Sequence, residues 1–362
     1  MLRSIKEQIG KKLFQNKLIF LCGARRTGKT TLVKDIVTEF GKDGKYINCE
    51  LLSTQRGLSE LGAEQIKAFL GNYKIIVLDE VQKIAEIAEV LKIATDSLAG
   101  VQIIATSSAN ADLSGKIRER LNGRSITFHV MPLSCEEIIN SFDTGEIKSK
   151  LELLIRFGLY PEIYTLPDEE TKIARLNEIT SNYLYKDILE FDGVRHINTL
   201  SKMVQILALR IGEEVSVLEL AKQTGINRLT AERYMELLEK SKIIFRLRAF
   251  YKDKKKEISK SFKVYFYDLG IRNAIIQNFN SANLRTDTEA MWKNFCVAER
   301  KKYLLGTGIV KGEYFYKTFS GQEIDYIEED EGKITAYEFK WNDKKRAKKY
   351  SSFTETYKTE IN

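Results

Sequence analysis

The stretch that most constrains this chain is GARRTGKT, which runs from Gly23 to Thr30 directly after the apolar run LIFLC. It fills the spacing G-x-x-x-x-G-K-T with Gly23, Gly28, Lys29 and Thr30. Glycines let the backbone curl so that successive N–H groups can point inward at phosphate oxygens. The pattern predicts a phosphate-binding loop in which Lys29 reaches the β- and γ-phosphates and the Thr30 hydroxyl binds Mg²⁺. We expect nucleotide contacts from Gly23, Ala24, Arg25, Arg26, Thr27, Gly28, Lys29, Thr30 and Thr31.

The segments on either side of this loop have the expected character. NKLIFL is typical of a buried strand, and KTTLVKDIVTEF places Leu32, Ile36 and Val37 at helical spacing. The amino-terminal end of a helix also favours a bound anion. A glycine turn in an ordinary strand–helix unit is the alternative, and the complete pattern between a strand and a helix favours the phosphate-binding interpretation.

A pair of acids ends a second apolar strand. The segment KIIVLDE runs into Asp79 and Glu80. A carboxylate at the exit of such a strand can hold the Mg²⁺ shell, which we assign to Asp79. Glu80 is then placed to polarise the attacking water, so the pair predicts hydrolysis. The alternative is two solvated acids at a strand end.

Strands and helices alternate through the first part of the chain. KYINCE and VQIIATSSAN are further predicted strands, and EIAEVLKIATDSL carries a helical apolar stripe. This alternation predicts an α/β fold with a parallel sheet, helices on both faces and ligand at the carboxyl ends of the strands.

Composition sets outer limits on the fold and the partners. The chain has 362 residues, which suggests two to three domains. A net charge of +8 favours nucleic acid or another acidic partner without deciding between them. No signal-peptide pattern or membrane-length apolar run is visible in the sequence, so we expect a cytoplasmic protein without a membrane partner. The four cysteines lack a C-x-x-C pair and are interpreted as reduced core thiols, and His129 and His196 as structural.

These motifs resemble the AAA+ type of P-loop ATPase. More closely, the chain resembles a bacterial and archaeal family in which a P-loop module precedes a C-terminal domain of unknown function with a restriction-endonuclease-like core. The resemblance covers almost the whole chain and is most specific in the ATPase part. It is carried by the segments GARRTGKTTL, IIVLDEVQ, IIATSSAN, LNGRSITFHVMPLSCEEI, YLYKDIL and GQEIDYIE…AYEFK.

The resemblance implies two further roles at the nucleotide site. Ser107 or Ser108 matches the polar sensor of the γ-phosphate, where the family usually carries Gly-Ser. Arg124 in LNGR matches a catalytic arginine finger, whose guanidinium would neutralise charge on the transferred phosphoryl group. Arg118 and Arg120 are alternatives for that role. An arginine acting in trans would require a homo-oligomer.

The middle of the chain predicts helices and then a winged helix. SKLELLIRFGLYPEI and the segment after it fit a helical lid over the nucleotide. EVSVLELAKQTGINRLTAERYMELLEK has helix-turn-helix spacing, with IIFRLRAFY as the wing strand. A DNA-binding role would place Arg228 and Arg233 in the major groove and Arg246, Arg248 and the run KDKKK on phosphates. Glu232 and Glu236 on the same face would repel phosphate, which leaves a packing module as the alternative.

The last third carries a possible nuclease site. Strand alternation puts Glu338 and Lys340 on one face, and Asp325 on a paired strand could share a divalent cation with Glu338. This is similar to the D…E-x-K signature of restriction-type nucleases, with Glu299 matching their helix carboxylate. The alternative is an ion-paired sheet surface or a core without catalysis. The chain stops after one predicted helix where the family usually continues, so we expect a truncated or abridged module.

Together these patterns predict an ATP-hydrolysing switch that uses ATP and Mg²⁺. The expected domains are a P-loop ATPase domain (1–142), a helical lid (143–198), a winged-helix region (199–268) and a nuclease-like α/β domain (269–362). Nucleic acid is the first predicted target. The rival interpretation is a protein-binding regulatory ATPase with an inactive C-terminal docking module.

Overall fold

The structure is a computed structural model of the chain. It describes residues 3–59, 62–108, 111–141, 144–181, 197–250, 262–318 and 321–341, together with Phe353 and Tyr357. The chain divides into two compact units. The first comprises residues 1–133 with 240–242, and the second comprises residues 134–239 with 243–362.

The first unit is an α/β structure built on a parallel sheet. Its elements are α1 (Ser4–Gly10), β1 (Leu18–Gly23), α2 (Lys29–Thr38), β2 (Gly44–Asn48), α3 (Leu52–Ser59), α4 (Ala63–Leu70), β3 (Ile75–Asp79), α5 (Ile87–Ser97), β4 (Gln102–Ser108), α6 (Ala111–Arg120) and β5 (Ser125–His129). The five strands pair in the order β2-β3-β4-β1-β5, and every pair is parallel. The predicted parallel sheet is confirmed.

Both faces of this sheet are covered, because alternate residues of its strands enter two separate cores. Phe20 and Leu78 pack with the apolar residues of α3, α4, α5 and α6. Leu21 and Val77 pack on the other face with the buried residues of α1 and α2. The central strands β1, β3 and β4 are consequently buried along their whole length. This is why they read as continuous apolar runs rather than alternating ones.

The second unit combines helices with a mixed sheet. Its elements are α7 (Cys135–Ser141), α8 (Thr144–Phe157), α9 (Pro161–Thr165), α10 (Glu169–Ser181), α11 (Ile197–Leu209), β6 (Glu214–Val215), α12 (Val217–Thr224), α13 (Arg228–Lys240), β7 (Ile244–Ala249), β8 (Phe262–Phe266), α14 (Leu269–Ile275), α15 (Thr288–Thr307), β9 (Gly312–Lys317), β10 (Glu323–Asp330) and β11 (Lys333–Tyr337). The helices α8 and α10, in the segment predicted as a lid, pack against α14. The segment YLYKDIL and His196 lie outside the described residues.

The helix-turn-helix sequence folds as two helices joined at a glycine. The Ser216 side chain accepts a hydrogen bond from the N–H of Glu219 and so caps α12. Gly225, with a left-handed φ of 74°, ends that helix before α13 begins. Strands β6, β7 and β8 form an antiparallel set beside them, which is the arrangement expected of a winged helix. The lysine run KDKKK falls outside the described residues.

The strands near the C-terminus continue the same sheet. The order is β11-β10-β9-β7-β8-β6, and β7 pairs with β9 in parallel while the other pairs are antiparallel. The strands predicted for a winged helix and for a separate C-terminal domain therefore share one mixed sheet. The helix predicted over KKRAKKYSSFTETY is described only at Phe353 and Tyr357, whose rings pack on Tyr316 of β9. Among the helices that the structure describes, none is long and apolar enough to cross a bilayer.

Candidate nucleotide-binding site

The predicted phosphate-binding loop connects β1 to α2 through two tight backbone positions. A Cβ added to Gly23 would lie 2.1 Å from the carbonyl oxygen of Val130, so this position accepts only glycine. Gly28 has a left-handed φ of 94° and precedes the first residue of α2. The loop therefore turns back sharply and opens at the amino-terminal end of that helix, whose first N–H groups have no partner within the helix.

Lys29 lies buried within this loop. Its side chain is only 3% exposed, and Nζ donates hydrogen bonds to the carbonyl oxygens of Gly23 (3.0 Å) and Ala24 (2.9 Å). Burial lowers the pKa of Lys29, and the carboxylates of Glu80 and Asp79 act in the opposite direction. Thr27 closes the loop with a hydroxyl hydrogen bond to the same Ala24 carbonyl at 2.9 Å. The lysine is thus held at the loop by atoms that a phosphate oxygen can replace as acceptors.

The predicted metal ligands Thr30 and Asp79 are in direct contact. Thr30 Oγ1 donates to Asp79 Oδ2 at 2.8 Å, across the gap between α2 and the end of β3. Asp79 is 2% exposed and accepts two more hydroxyl hydrogen bonds, from Tyr46 at 2.7 Å and from Thr106. Tyr46 and Thr106 were not expected from the sequence, because each lies on a different strand next to β3.

Glu80 is tied to the end of the neighbouring strand. It has a left-handed φ of 58°, and its carboxylate accepts hydrogen bonds from Ser108 Oγ (2.8 Å) and from Gln82. The Gln82 amide also donates to Ser108 Oγ at 2.7 Å. Ser107, one residue earlier on β4, is wholly buried, and its hydroxyl has no hydrogen-bond partner within the described structure. Of the two serines left open by the sequence, Ser108 is the one that contacts the acid pair.

These residues fit a nucleotide site in their chemistry. Glycines at the tight turns, a buried lysine and a threonine–aspartate contact meet where β1, β3 and β4 end. Residues 15–139 match the family described as an AAA domain. Residues 148–282 and 288–362 match two families described as "Domain of unknown function (DUF8612)" and "Domain of unknown function (DUF4143)". The chain therefore carries a P-loop AAA domain followed by two regions of unknown function.

Similar proteins extend over most of the chain. An uncharacterized protein of Methanocaldococcus jannaschii is 28% identical over 83% of this chain and 73% of its own length. An uncharacterized protein of Mycobacterium tuberculosis is 25% identical over 93% of this chain and 73% of its own length.

Solved structures resemble the chain more distantly. The structure of the Aeropyrum pernix ORC1 protein in complex with DNA has 12% sequence identity and a TM-score of 0.35, covering 76% of this chain and 93% of that one. The Pif1 helicase of Candida albicans has 14% identity and a TM-score of 0.27, with coverage of 52% and 56%.

Arg124 lies beside the start of β1, at the opposite end of that strand from the loop. Its carbonyl accepts a hydrogen bond from the N–H of Leu18 at the start of β1, whereas the loop follows the end of that strand. The side chain is 45% exposed and pairs with Asp96 at 2.8 Å. Arg118 and Arg120, in the last turn of α6, are also exposed. Arg124 and the loop therefore lie at opposite ends of β1.

Cys22 and His129 form a neutral pair in the AAA domain core. The Sγ atom of Cys22 lies 3.0 Å from Nδ1 of His129. Burial lowers the pKa of His129 to about 4 and raises the pKa of Cys22 to about 11. Both groups are uncharged at neutral pH, which agrees with the structural role expected for His129. All four cysteines are free thiols.

In the second unit, Glu299 has a partner that differs from the predicted one. Its Oε2 accepts a hydrogen bond from the N–H of Cys135 at 2.6 Å, at the start of α7, and its Oε1 pairs with Lys302 at 2.8 Å. The carboxylate thus accepts a hydrogen bond from the first N–H of α7 and neutralises the charge of a nearly buried lysine. A metal-binding role for Glu299 stays a prediction.

Asp325 lies on β10 as predicted, whereas Glu338 and Lys340 follow the end of β11 at Tyr337, so their predicted place on a strand is wrong. Asp325 binds Lys293 at 2.5 Å and accepts from the N–H of Phe339 at 2.9 Å. Glu338 pairs with Lys340, the residue expected to activate water. Within the described residues, no group of three or more metal-ligating side chains is assembled. Asp325 and Glu338 thus take part in ion pairs, and a nuclease role for them stays a prediction.

The predicted DNA contacts of the winged helix divide into two groups. Arg228, Arg233 and Arg248 are exposed. The guanidinium of Arg246 is bound by Glu232 and Glu239 at 2.6 Å each, so a phosphate would have to compete with two carboxylates for it. The same pairing neutralises Glu232, one of the two acids expected to repel DNA.

Proposed function

We propose that the chain is an ATP-binding and ATP-hydrolysing switch. The observation that carries the proposal is the contact between Thr30 and Asp79 beside the buried Lys29. The start of α2 supplies a phosphate-binding cation and a hydroxyl, and the end of β3, 49 residues further along the chain, supplies the carboxylate. An ordinary glycine turn would not need this convergence of polar groups.

Each residue then has a defined role. The loop amides and Lys29 bind the phosphates, and Thr30 and Asp79 hold Mg²⁺, which supplies charge neutralisation at the phosphates. Glu80 orients water, and Ser108 holds its carboxylate in place. Arg124 would act on the nucleotide of a second copy of the chain, which makes a homo-oligomer part of the proposal.

The proposed target is nucleic acid, reached through the winged helix. Arg228 and Arg233 on α13 are exposed cations at the start and on the outer face of that helix. The pairing of Glu232 with Arg246 removes one negative charge from the same face. The helices predicted as a lid and the mixed sheet would couple nucleotide turnover to this surface.

A second candidate is a protein-binding regulatory ATPase. It is favoured by the ion pairs of Asp325, Glu338 and Glu299, which leave the C-terminal strands without an assembled metal site among the described residues. In that case the C-terminal region is a docking module without chemistry.

Nucleotide binding is tested by comparing Lys29→Ala with the parent protein. We expect the variant to lose ATP turnover and most of its affinity for a fluorescent ATP analogue, because a buried cation in the loop is removed. Lys12→Ala, an exposed lysine of the first unit, is the matched control. Unchanged turnover in Lys29→Ala would refute the assignment.

The target is tested by a mobility-shift titration of labelled duplex DNA against salt. We expect Arg228→Glu combined with Arg233→Glu to abolish the shift and flatten its salt dependence. Lys12→Glu combined with Lys42→Glu makes the same change in net charge at exposed sites of the first unit. Equal losses in the two double variants, or no shift by the parent, would favour the protein-binding alternative.

A further inference from the structure

Arg3 joins the phosphate-binding loop to the segment that follows β5. It directly precedes α1, and its Nη1 donates to the carbonyl oxygen of Thr27 at 3.2 Å. Its Nη2 donates to the carbonyl oxygen of Met131 at 2.6 Å. Thr27 lies in the loop and is wholly buried, and Met131 is almost wholly buried. The Arg3 side chain thus bridges one carbonyl group of the loop and one carbonyl group of the segment after β5.

The contact with Thr27 restrains the orientation of the next amide. No peptide bond among the described residues is cis, so the Thr27 carbonyl and the Gly28 N–H lie on opposite sides of one planar peptide. A carbonyl held toward Arg3 directs the N–H of Gly28 away from Arg3. Gly28 has a left-handed φ and no side chain, so its own conformation offers little restraint on that peptide.

We propose that Arg3 is a positioning residue for the nucleotide, which fixes the peptide between Thr27 and Gly28 so that the Gly28 N–H faces the phosphates. The inference rests on the proposed binding of ATP. A guanidinium suits the task, because its planar fork presents several donors and can serve two carbonyl groups at once.

The rest of α1 is anchored without Arg3. Ile5 and Ile9 are buried in the core between α1, α2 and the sheet. Lys6 pairs with Asp35 and with Glu39 at 2.6 Å, which ties α1 to α2. Arg3 is therefore not needed to dock this helix, and Lys6 offers a control that loosens the helix without touching the loop.

The experiment compares the full chain with Arg3→Gln, Arg3→Lys, Lys6→Gln and Lys29→Ala. Affinity for a fluorescent ATP analogue and the exchange rate of the Gly28 amide in the nucleotide-free protein are measured beside the melting temperature. We expect Arg3→Gln to weaken binding about tenfold or more, the scale of one charge-assisted hydrogen bond, and to speed Gly28 exchange. Arg3→Lys should restore part of both, and Lys6→Gln should change the melting temperature but neither other readout.

The possible outcomes separate this inference from the proposed function. If the parent binds the analogue and Arg3→Gln binds it equally well, the inference is overturned and ATP binding stands. If Lys6→Gln weakens binding as much as Arg3→Gln, the effect is general loosening of α1 and the inference is likewise overturned. If the parent binds no nucleotide, the proposed function itself fails, and the inference fails with it.

Discussion

Tyr46 offers a sharp test of how the acid at the nucleotide site is held. Its hydroxyl donates to Asp79 Oδ2 at 2.7 Å, alongside Thr30 at 2.8 Å. Substitution of Tyr46 by phenylalanine removes one oxygen atom and keeps the ring. Hydrogen bonds to charged groups contribute about 1.5–3 kcal/mol, and we take the lower end because Tyr46 is only half-buried. The expected loss of unfolding free energy is thus about 1.5 kcal/mol, or a fall in Tm of about 3–6 °C.

The assay is thermal and urea unfolding of the nucleotide-free protein, followed by circular dichroism. Tyr73→Phe is the matched control, because Tyr73 belongs to the same unit and its ring contacts Lys45 rather than the acid pair. We expect this control to melt within about 1–2 °C of the parent, the range of a neutral surface change. A Tyr46→Phe variant with the melting temperature of the parent would show that the hydrogen bond from Tyr46 to Asp79 does not stabilise the fold. The argument that hydroxyl donors hold Asp79 in place would then be wrong.

Three further predictions concern charges elsewhere in the chain. His129 has a folded-state pKa of about 4, below its unfolded value, so the stability that depends on its neutral form is present above about pH 6.5 and is lost between about pH 6.5 and 4. The loss should reach at most about 3 kcal/mol in urea titrations, and a His129→Gln variant should not show this pH step. Glu299→Gln should lower the free energy of unfolding by about 1–2 kcal/mol and should leave any effect of Mn²⁺ on Tm unchanged. A Mn²⁺-induced rise in Tm that Glu299→Gln abolishes would contradict its structural role. Arg246→Met should cost about 1.5 kcal/mol, because it removes the charged hydrogen-bond partner of Glu232 and Glu239, which are themselves partly exposed. Arg248→Met, at an exposed position, should cost less than about 0.5 kcal/mol, and equal costs would refute the ion-pair argument.

The first half of the nucleotide site could be predicted because its residues are contiguous. Gly23 to Thr30 carry a local backbone requirement, and Asp79 and Glu80 end an apolar strand. The spacing alone was enough to indicate the loop. The order of strands then determined which side chains surround the acids, and that order is not written in any one segment.

Tyr46, Thr106 and Ser108 illustrate the part that sequence could not supply. They flank Asp79 and Glu80 only because β2 and β4 lie on either side of β3. Once that order is known, polar residues toward the ends of neighbouring strands become identifiable. Before it, Tyr46 is an ordinary strand tyrosine.

The ion pairs of the second unit could not be predicted from the sequence. Asp325 was placed correctly on a strand, whereas β11 ends one residue before Glu338. Strand alternation does not reveal the lysines that pair with these two acids. Glu299 meets the N–H of Cys135, which lies 164 residues earlier in the chain. Such a partner is determined by tertiary packing, so no local pattern could have indicated it.

The parallel pairing of β7 with β9 has a mechanical consequence. Main-chain hydrogen bonds within one sheet join the two matched regions of unknown function, residues 148–282 and 288–362. The two regions should therefore move together as one rigid body rather than rotate about a hinge between them. A fragment cut between the two would leave β7 with a bare edge, and such edges recruit other strands. A fragment that contains the winged helix without the C-terminal strands should therefore aggregate. Truncated versions of this protein should keep residues 134–362 together.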